Sequence, residues 1–210
     1  MKSKIIEYIK KNRVSTTEIA DCLYKTGDIP HVLPITKGLH KVGNVFWTYA
    51  YGGTNYDLHK QLENVQEGDI VLVEALNCGE KALFGDLVSK YVILYRQASA
   101  IVAIGFMRDI PRLIKEQWPI WCLGYTPIGC INEEISGVDT DWVKAHREHY
   151  DDCIAVCDDS GVVIIPKNKH NQEFYERIEF MENQEDTWYD CIDRKKMSTF
   201  EAVCLKKYLT

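Results

Sequence analysis

The strongest constraint on this chain is a run in which strands and helices alternate. Gly68-Asp69 turns into the apolar stretch Ile70 to Ala75, which reads as a strand. Asn77 to Lys81 is a loop, and a helix is expected over Gly85 to Arg96. Ile101 to Gly105 reads as a second, fully buried strand. Arg108-Asp109 follows it, and Ile110 to Gln117 reads as a helix stopped by Pro119. Ile120 to Gly124 is a third strand. Such alternation predicts an α/β sheet with parallel neighbours.

The flanks fit one domain over residues 1–210. Ile5, Ile6 and Ile9 mark a short amphipathic helix. Ser15 and Glu18 form a capping-box pattern for a second helix, with Gly27 as its expected stop. Asn44 to Tyr51 is aromatic and β-branched, hence a strand ended by Gly52-Gly53. Tyr56 to Leu62 reads as a helix. Asn132 to Asp152 is polar and fits no period. Cys153 to Cys157 and Val162 to Pro166 read as a hairpin across Asp158-Asp159-Ser160-Gly161. Gln172 to Tyr208 is helical in two pieces, the second opened by Ser198 and Glu201.

Composition removes several functions. Lys and Arg number 25 against 31 Asp and Glu, a net charge of −6, and no long basic stripe occurs. Nucleic-acid binding is not expected, because phosphate neutralisation supplies most of that affinity. Apolar stretches such as Ile101 to Met107 fall far short of the ~20 residues a membrane span needs, and the charged N-terminus has no signal-peptide core. The eight cysteines include no Cys-x-x-Cys and read as reduced thiols of a cytoplasmic protein. His146, His149 and Cys153 could contribute to a zinc site, but no fourth ligand stands at standard spacing.

The chemistry lies in two strand-to-helix loops. Gly79 to Leu87 places glycines before a helix, where backbone can approach a ligand and free N–H groups favour an anion. Gly105 to Asp109 sets a cation and a carboxylate at the end of a buried strand, where α/β proteins bind ligands. Each residue also has a purely structural reading. Asp86 and Asp109 stand where helix caps belong, and Arg108 could serve a surface ion pair.

"ALFGDL" followed by "GFMRD" resembles the aldolases of 4-hydroxy-4-methyl-2-oxoglutarate and 4-carboxy-4-hydroxy-2-oxoadipate, a family that includes the RraA regulators of ribonuclease E. "STTEIADCL", "VGNVFWTYAYGGTNYDLHKQL", "EGDIVLVEA" and "DDSGVVIIP" extend the resemblance over most of the chain. The resemblance implies a swivelling-type β/β/α fold and a homotrimer or hexamer with sites between subunits. It implies Mg²⁺ (or Mn²⁺) on Asp109, with Asp86 holding it through water. Arg108 would grip a small 2-oxo acid, and backbone N–H groups of Leu83, Phe84, Gly85, Asp86 and Leu87 would bind its carboxylate. The metal would stabilise a pyruvate enolate during retro-aldol cleavage or decarboxylation. The alternative it implies is a non-catalytic RraA-type regulator that binds a partner protein such as a ribonuclease.

Two further features bear on that choice. Phe174, Ile178, Met181, Glu185, Trp188 and Ile192 form one helical seam with a carboxylate in its middle. In the resembled family, acidic residues of a neighbouring subunit approach the site, and Glu185 and Asp21 occupy matching positions. Glu185 could equally mark the edge of the seam, with Asp21 on the wet side of its helix. The chain departs from the family at Arg96-Gln97-Ala98-Ser99, where a glycine turn is expected, and across Asn132 to Asp152.

Overall fold

The computed structural model describes residues 1–209. In chain order the elements are α1 (Lys2–Asn12), α2 (Thr16–Cys22), β1 (Leu33–Pro34), β2 (Lys41–Tyr51), α3 (Tyr56–Leu62), β3 (Ile70–Leu76), β4 (Ala82–Phe84) and α4 (Asp86–Lys90). There follow β5 (Ala100–Met107), α5 (Ile110–Lys115), β6 (Ile120–Tyr125), α6 (Thr140–Tyr150), β7 (Ile154–Asp158), β8 (Gly161–Ile165) and α7 (Gln172–Asp193).

The strands form one mixed sheet in the order β1-β6-β5-β3-β2-β7-β8, with β4 added beside β5. β2, β3, β5 and β6 are parallel neighbours, and β4 pairs parallel to β5. β1, β7 and β8 add antiparallel pairs at the two ends. Those ends approach each other, since Ile29 N–H donates to Val162 O at 2.9 Å, and the sheet nearly closes. A strand flanked on both sides and covered on both faces must be apolar throughout. β5 meets that demand, with Ala100 to Ala103 and Met107 wholly buried. Each Ile or Val so buried contributes roughly 1.5–3 kcal/mol.

The α/β expectation holds, with several corrections. The sequence reads as loop where β4 forms. Its three residues are too few to show a period, and pairing with β5 makes it a strand. The helix expected over Gly85 to Arg96 is α4 continued by one π-helical turn, Tyr91–Tyr95. The Ser15–Glu18 capping box forms, but α2 ends at Cys22 and the chain turns through Tyr24 and Lys25 in left-handed backbone. Gly27 stops no helix; its carbonyl instead accepts from Ile164 N–H at 2.7 Å. After α7 the second helical piece shrinks to two short turns, Phe200–Cys204 behind the Ser198–Glu201 contacts and Lys207–Leu209. No helix among the described residues is long and apolar enough to cross a membrane.

The unassigned polar stretch contains α6. Its docking depends on one carboxylate of β3. Glu74 Oε2 accepts from Trp47 Nε1 at 2.6 Å and meets His146 Nδ1 at 2.7 Å, while Trp142 stacks on the His146 ring at 4.2 Å. This arrangement removes the zinc reading. His146 is engaged by Glu74, and the Cys153 thiol donates to the His149 carbonyl at 3.2 Å.

Trp47 is fully buried. Glu74→Ala leaves its indole N–H unpaired and should cost about 1–3 kcal/mol. Urea unfolding checks this; an unchanged midpoint would remove Glu74 as the anchor of α6.

Candidate functional site

Parallel pairing of β4 with β5 sets two strand-to-helix loops side by side at the carboxyl ends of the sheet. Gly85 joins β4 to α4, and Arg108-Asp109 join β5 to α5. The loops are bonded to each other, with Arg108 N–H donating to Phe84 O at 3.2 Å.

Asp109 is the most informative residue. It stands at the N-cap of α5, yet its side chain makes no cap bond. Its backbone is left-handed at φ 61°, a conformation that costs a non-glycine residue of order 1–3 kcal/mol. The turn aims its carboxylate at the neighbouring loop. Oδ2 accepts from Asp86 N–H at 3.2 Å and lies 3.6 Å from Arg108 Nε. Gly85 makes room for this, since a Cβ there would overlap Asp109 Oδ2. Asp86 opens α4, and its carboxylate pairs with Arg112 Nε at 3.1 Å. Neither aspartate is therefore consumed as an ordinary cap.

Arg108 is half-exposed and packs on the segment after β6. A Cβ on Gly129 would come within 2.5 Å of Arg108 Nη1. Thus Gly85 clears space for the carboxylate and Gly129 clears space for the guanidinium. Between them opens a cavity of about 140 Å³ lined by Asn55, Leu83 to Val88, Arg108, Asp109, Gly129 and Cys130. Drug-sized ligands occupy pockets of roughly 300–1,000 Å³, so this one suits a small acid.

The donors in this cavity are specific. Leu83 and Phe84 line it from β4, and the Asp86 N–H is taken by Asp109. Leu87 and Val88 head the helix, before its first internal bond from Ser89 N–H to Gly85 O at 3.1 Å. Their N–H groups have no intrahelical carbonyl to meet. Asn55 is a cavity residue that the sequence reading missed. Its Nδ2 donates to Leu83 O at 2.9 Å, while its buried Oδ1 has no partner among the described residues. In the sequence it stands just before α3, where Asn reads as a cap, but its side chain caps nothing.

Asp109 and Asp86 supply hard oxygen donors. Both Asp109 contacts use Oδ2, which leaves Oδ1 available as a ligand. No group of three His, Cys, Asp or Glu side chains among the described residues is placed to hold an ion. A cation here would have one or two carboxylates and several waters, which is the habit of Mg²⁺.

Glu185 and Asp21 are not brought to this cavity within one chain. Asp21, on α2, pairs with Lys25 in the turn that follows the helix. Glu185 lies on α7, which packs on α2. Desolvation and the nearby charges of Glu18 and Asp21 push its carboxyl above the usual range. The seam is buried at Phe174, Ile178 and Met181, but Ile192 is partly exposed and Cys191 is buried instead.

The model of the RraA-like (Aldolase/RraA) family matches residues 16–164, which span α2 to β8. The chain belongs to the RraA-like family. That family includes metal-dependent aldolases, some of them Mg²⁺-dependent, and ribonuclease inhibitors without catalytic activity, and its members are commonly oligomeric. Three solved structures share the fold. An uncharacterized protein from Pseudomonas syringae pv. tomato is 20% identical, with a TM-score of 0.72 over 95% of this chain and 96% of its own. Streptomyces coelicolor RraAS2, described as an unusual member of the RNase ES inhibitor RraA family, is 22% identical, with a TM-score of 0.66 over 87% and 92%. The RNA-processing inhibitor RraA from Thermus thermophilus is 19% identical, with a TM-score of 0.54 over 72% and 92%.

The contact between the loops can be tested directly. Gly85→Ala should destabilise the protein by about 1–3 kcal/mol through overpacking. Adding Asp109→Ala removes the clash with the carboxylate and leaves the 2.9 Å approach of Arg108 Cγ, so it should recover part of that loss. A double-mutant cycle by urea unfolding is expected to show a coupling of about 0.5–3 kcal/mol. Strict additivity would contradict the contact.

Proposed function

We propose that this chain is a divalent-metal lyase that cleaves or decarboxylates a small 2-oxo acid to release pyruvate. The observation that carries this reading is Asp109, turned in strained backbone away from its cap position and set beside Arg108 at the mouth of a small polar cavity. At an N-cap the usual backbone is extended, so the left-handed turn at Asp109 serves to aim its carboxylate at the neighbouring loop.

In this reading Asp109 holds Mg²⁺ or Mn²⁺ directly and Asp86 holds it through water, with Arg112 fixing the Asp86 carboxylate. When bound, the ion supplies Lewis-acid stabilisation of the charge that develops on the 2-oxo oxygen. Arg108 binds the substrate carboxylate, and its planar fork sets the angle of the acid. The N–H groups at the head of α4, with Leu87 first, offer a second seat for carboxylate oxygens. Asn55 Oδ1 accepts from a water or substrate hydroxyl, which satisfies a buried acceptor that is otherwise costly.

The proton that leaves the substrate hydroxyl in a retro-aldol step needs a base. We assign Glu185, supported by Asp21, to the cavity of a neighbouring protomer in a homotrimer or hexamer. Desolvation and the neighbouring carboxylates raise its proton affinity, which favours proton uptake by this group.

Pyruvate release from oxaloacetate and from 4-carboxy-4-hydroxy-2-oxoadipate tests the reading, with Mg²⁺, with Mn²⁺ and with chelator. Metal-dependent release above the metal-only background is expected from at least one substrate. Arg108→Ala should lower kcat/KM about 10–100-fold, the worth of a hydrogen bond to a charged group. Asp109→Asn should lose the response to metal. A folded protein that releases no pyruvate would overturn the lyase reading in favour of an RraA-type binding protein.

A further inference from the structure

The cavity of about 140 Å³ suits the 2-oxo acid head of a substrate. A longer molecule must continue into space beside it. Towards α5 the cavity meets the next hollow only at Asp86, and Asp86 is tied there to Arg112 at 3.1 Å. Towards α3 the space continues. A hollow of about 310 Å³ lies between α3 and α4, and His59, Leu87 and Val88 line both it and the cavity.

This hollow is mainly apolar. Leu62 forms its α3 wall and is buried, while Leu87, Val88 and Tyr91 form the wall opposite. Leu87 and Tyr91 stand one helical turn apart and so share a face. Leu87 is 77% exposed although it is a large apolar side chain at the mouth of a polar cavity. The Tyr91 ring is held by Tyr95, stacked on it at 6.3 Å. Apolar walls joined to a few convergent polar groups are the usual make-up of a small-molecule site. The carboxylate in the hollow is Glu63, and no Lys or Arg among the described residues lines it. A second carboxylate on a ligand would meet no cation there and would face Glu63. An uncharged chain would gain by leaving water.

We propose that the substrate is a 4-hydroxy-2-oxo acid with an uncharged apolar group on C4, and that this group lies in the hollow between α3 and α4. The inference rests on the lyase reading and adds a class of substrate to it. The C3–C4 bond breaks and leaves its electron pair on C3. C3 takes up a proton to give pyruvate, and the C4 hydroxyl gives one up to leave an apolar aldehyde. His59 stands where the two spaces join.

The intact protein with Mg²⁺ is titrated by calorimetry with pyruvate, 2-oxopentanoate, 2-oxohexanoate and 2-oxoglutarate. None of these carries the C4 hydroxyl that cleavage needs, so binding is read without turnover. Affinity is expected to rise from pyruvate to 2-oxohexanoate by roughly fourfold per added methylene. 2-Oxoglutarate, which ends in a carboxylate where 2-oxopentanoate ends in a methyl group, should bind more weakly than 2-oxopentanoate. Tyr91→Arg puts a cation into the hollow and should reverse the order of those two. Pyruvate binding with no gain along the series would overturn the proposal and leave the lyase reading standing; a neighbouring protomer seated over the hollow would give that result. An order that Tyr91→Arg leaves untouched would overturn it as well. A folded protein that binds none of the four acids would overturn both.

Discussion

The candidate site depends on one close approach, the Asp109 carboxylate lying where any side chain at Gly85 would have to be. Parallel pairing of β4 with β5 brings the loops together, and the missing Cβ lets them interlock. The left-handed backbone at Asp109 is the cost of aiming the carboxylate sideways. That cost is local. It is tolerated because β5 beneath it is buried on both faces and cannot relax without exposing Ile101, Val102 and Met107.

The surrounding residues extend the same principle. Gly129 admits the Arg108 guanidinium, as Gly85 admits the carboxylate. Asn55 ties α3 to β4 through Leu83 and leaves its own oxygen buried in the cavity wall, with no partner among the described residues. Arg112 reaches back from α5 to Asp86 on α4. Each contact crosses from one strand-to-helix unit to another. The polar atoms of the cavity are therefore positioned by the sheet rather than by one flexible loop.

Much of this was legible in the sequence, and the exceptions have physical causes. The buried strand Ala100–Met107 shows in the sequence as an apolar run, and Arg108 and Asp109 stand just past its carboxyl end, as the sequence reading has them. β4 was missed because three residues carry no period and the strand exists only through its partner. α6 was missed because no residue of it is fully buried; it is docked by Glu74, His146 and Trp142 rather than by an apolar stripe. Asn55 was missed because a cap and a cavity acceptor look alike in one dimension. Glu185 showed as an oddity in a seam. The sequence had no means of telling whether it faces its own chain or a neighbour.

Mn²⁺ bound to the protein, followed by electron paramagnetic resonance with and without oxalate, tests the site most directly, since it reads ligation without turnover. The account expects a bound Mn²⁺ spectrum that changes when oxalate is added, and loss of both in Asp109→Asn. Equal Mn²⁺ binding by the wild-type protein and the Asp109→Asn variant would contradict it.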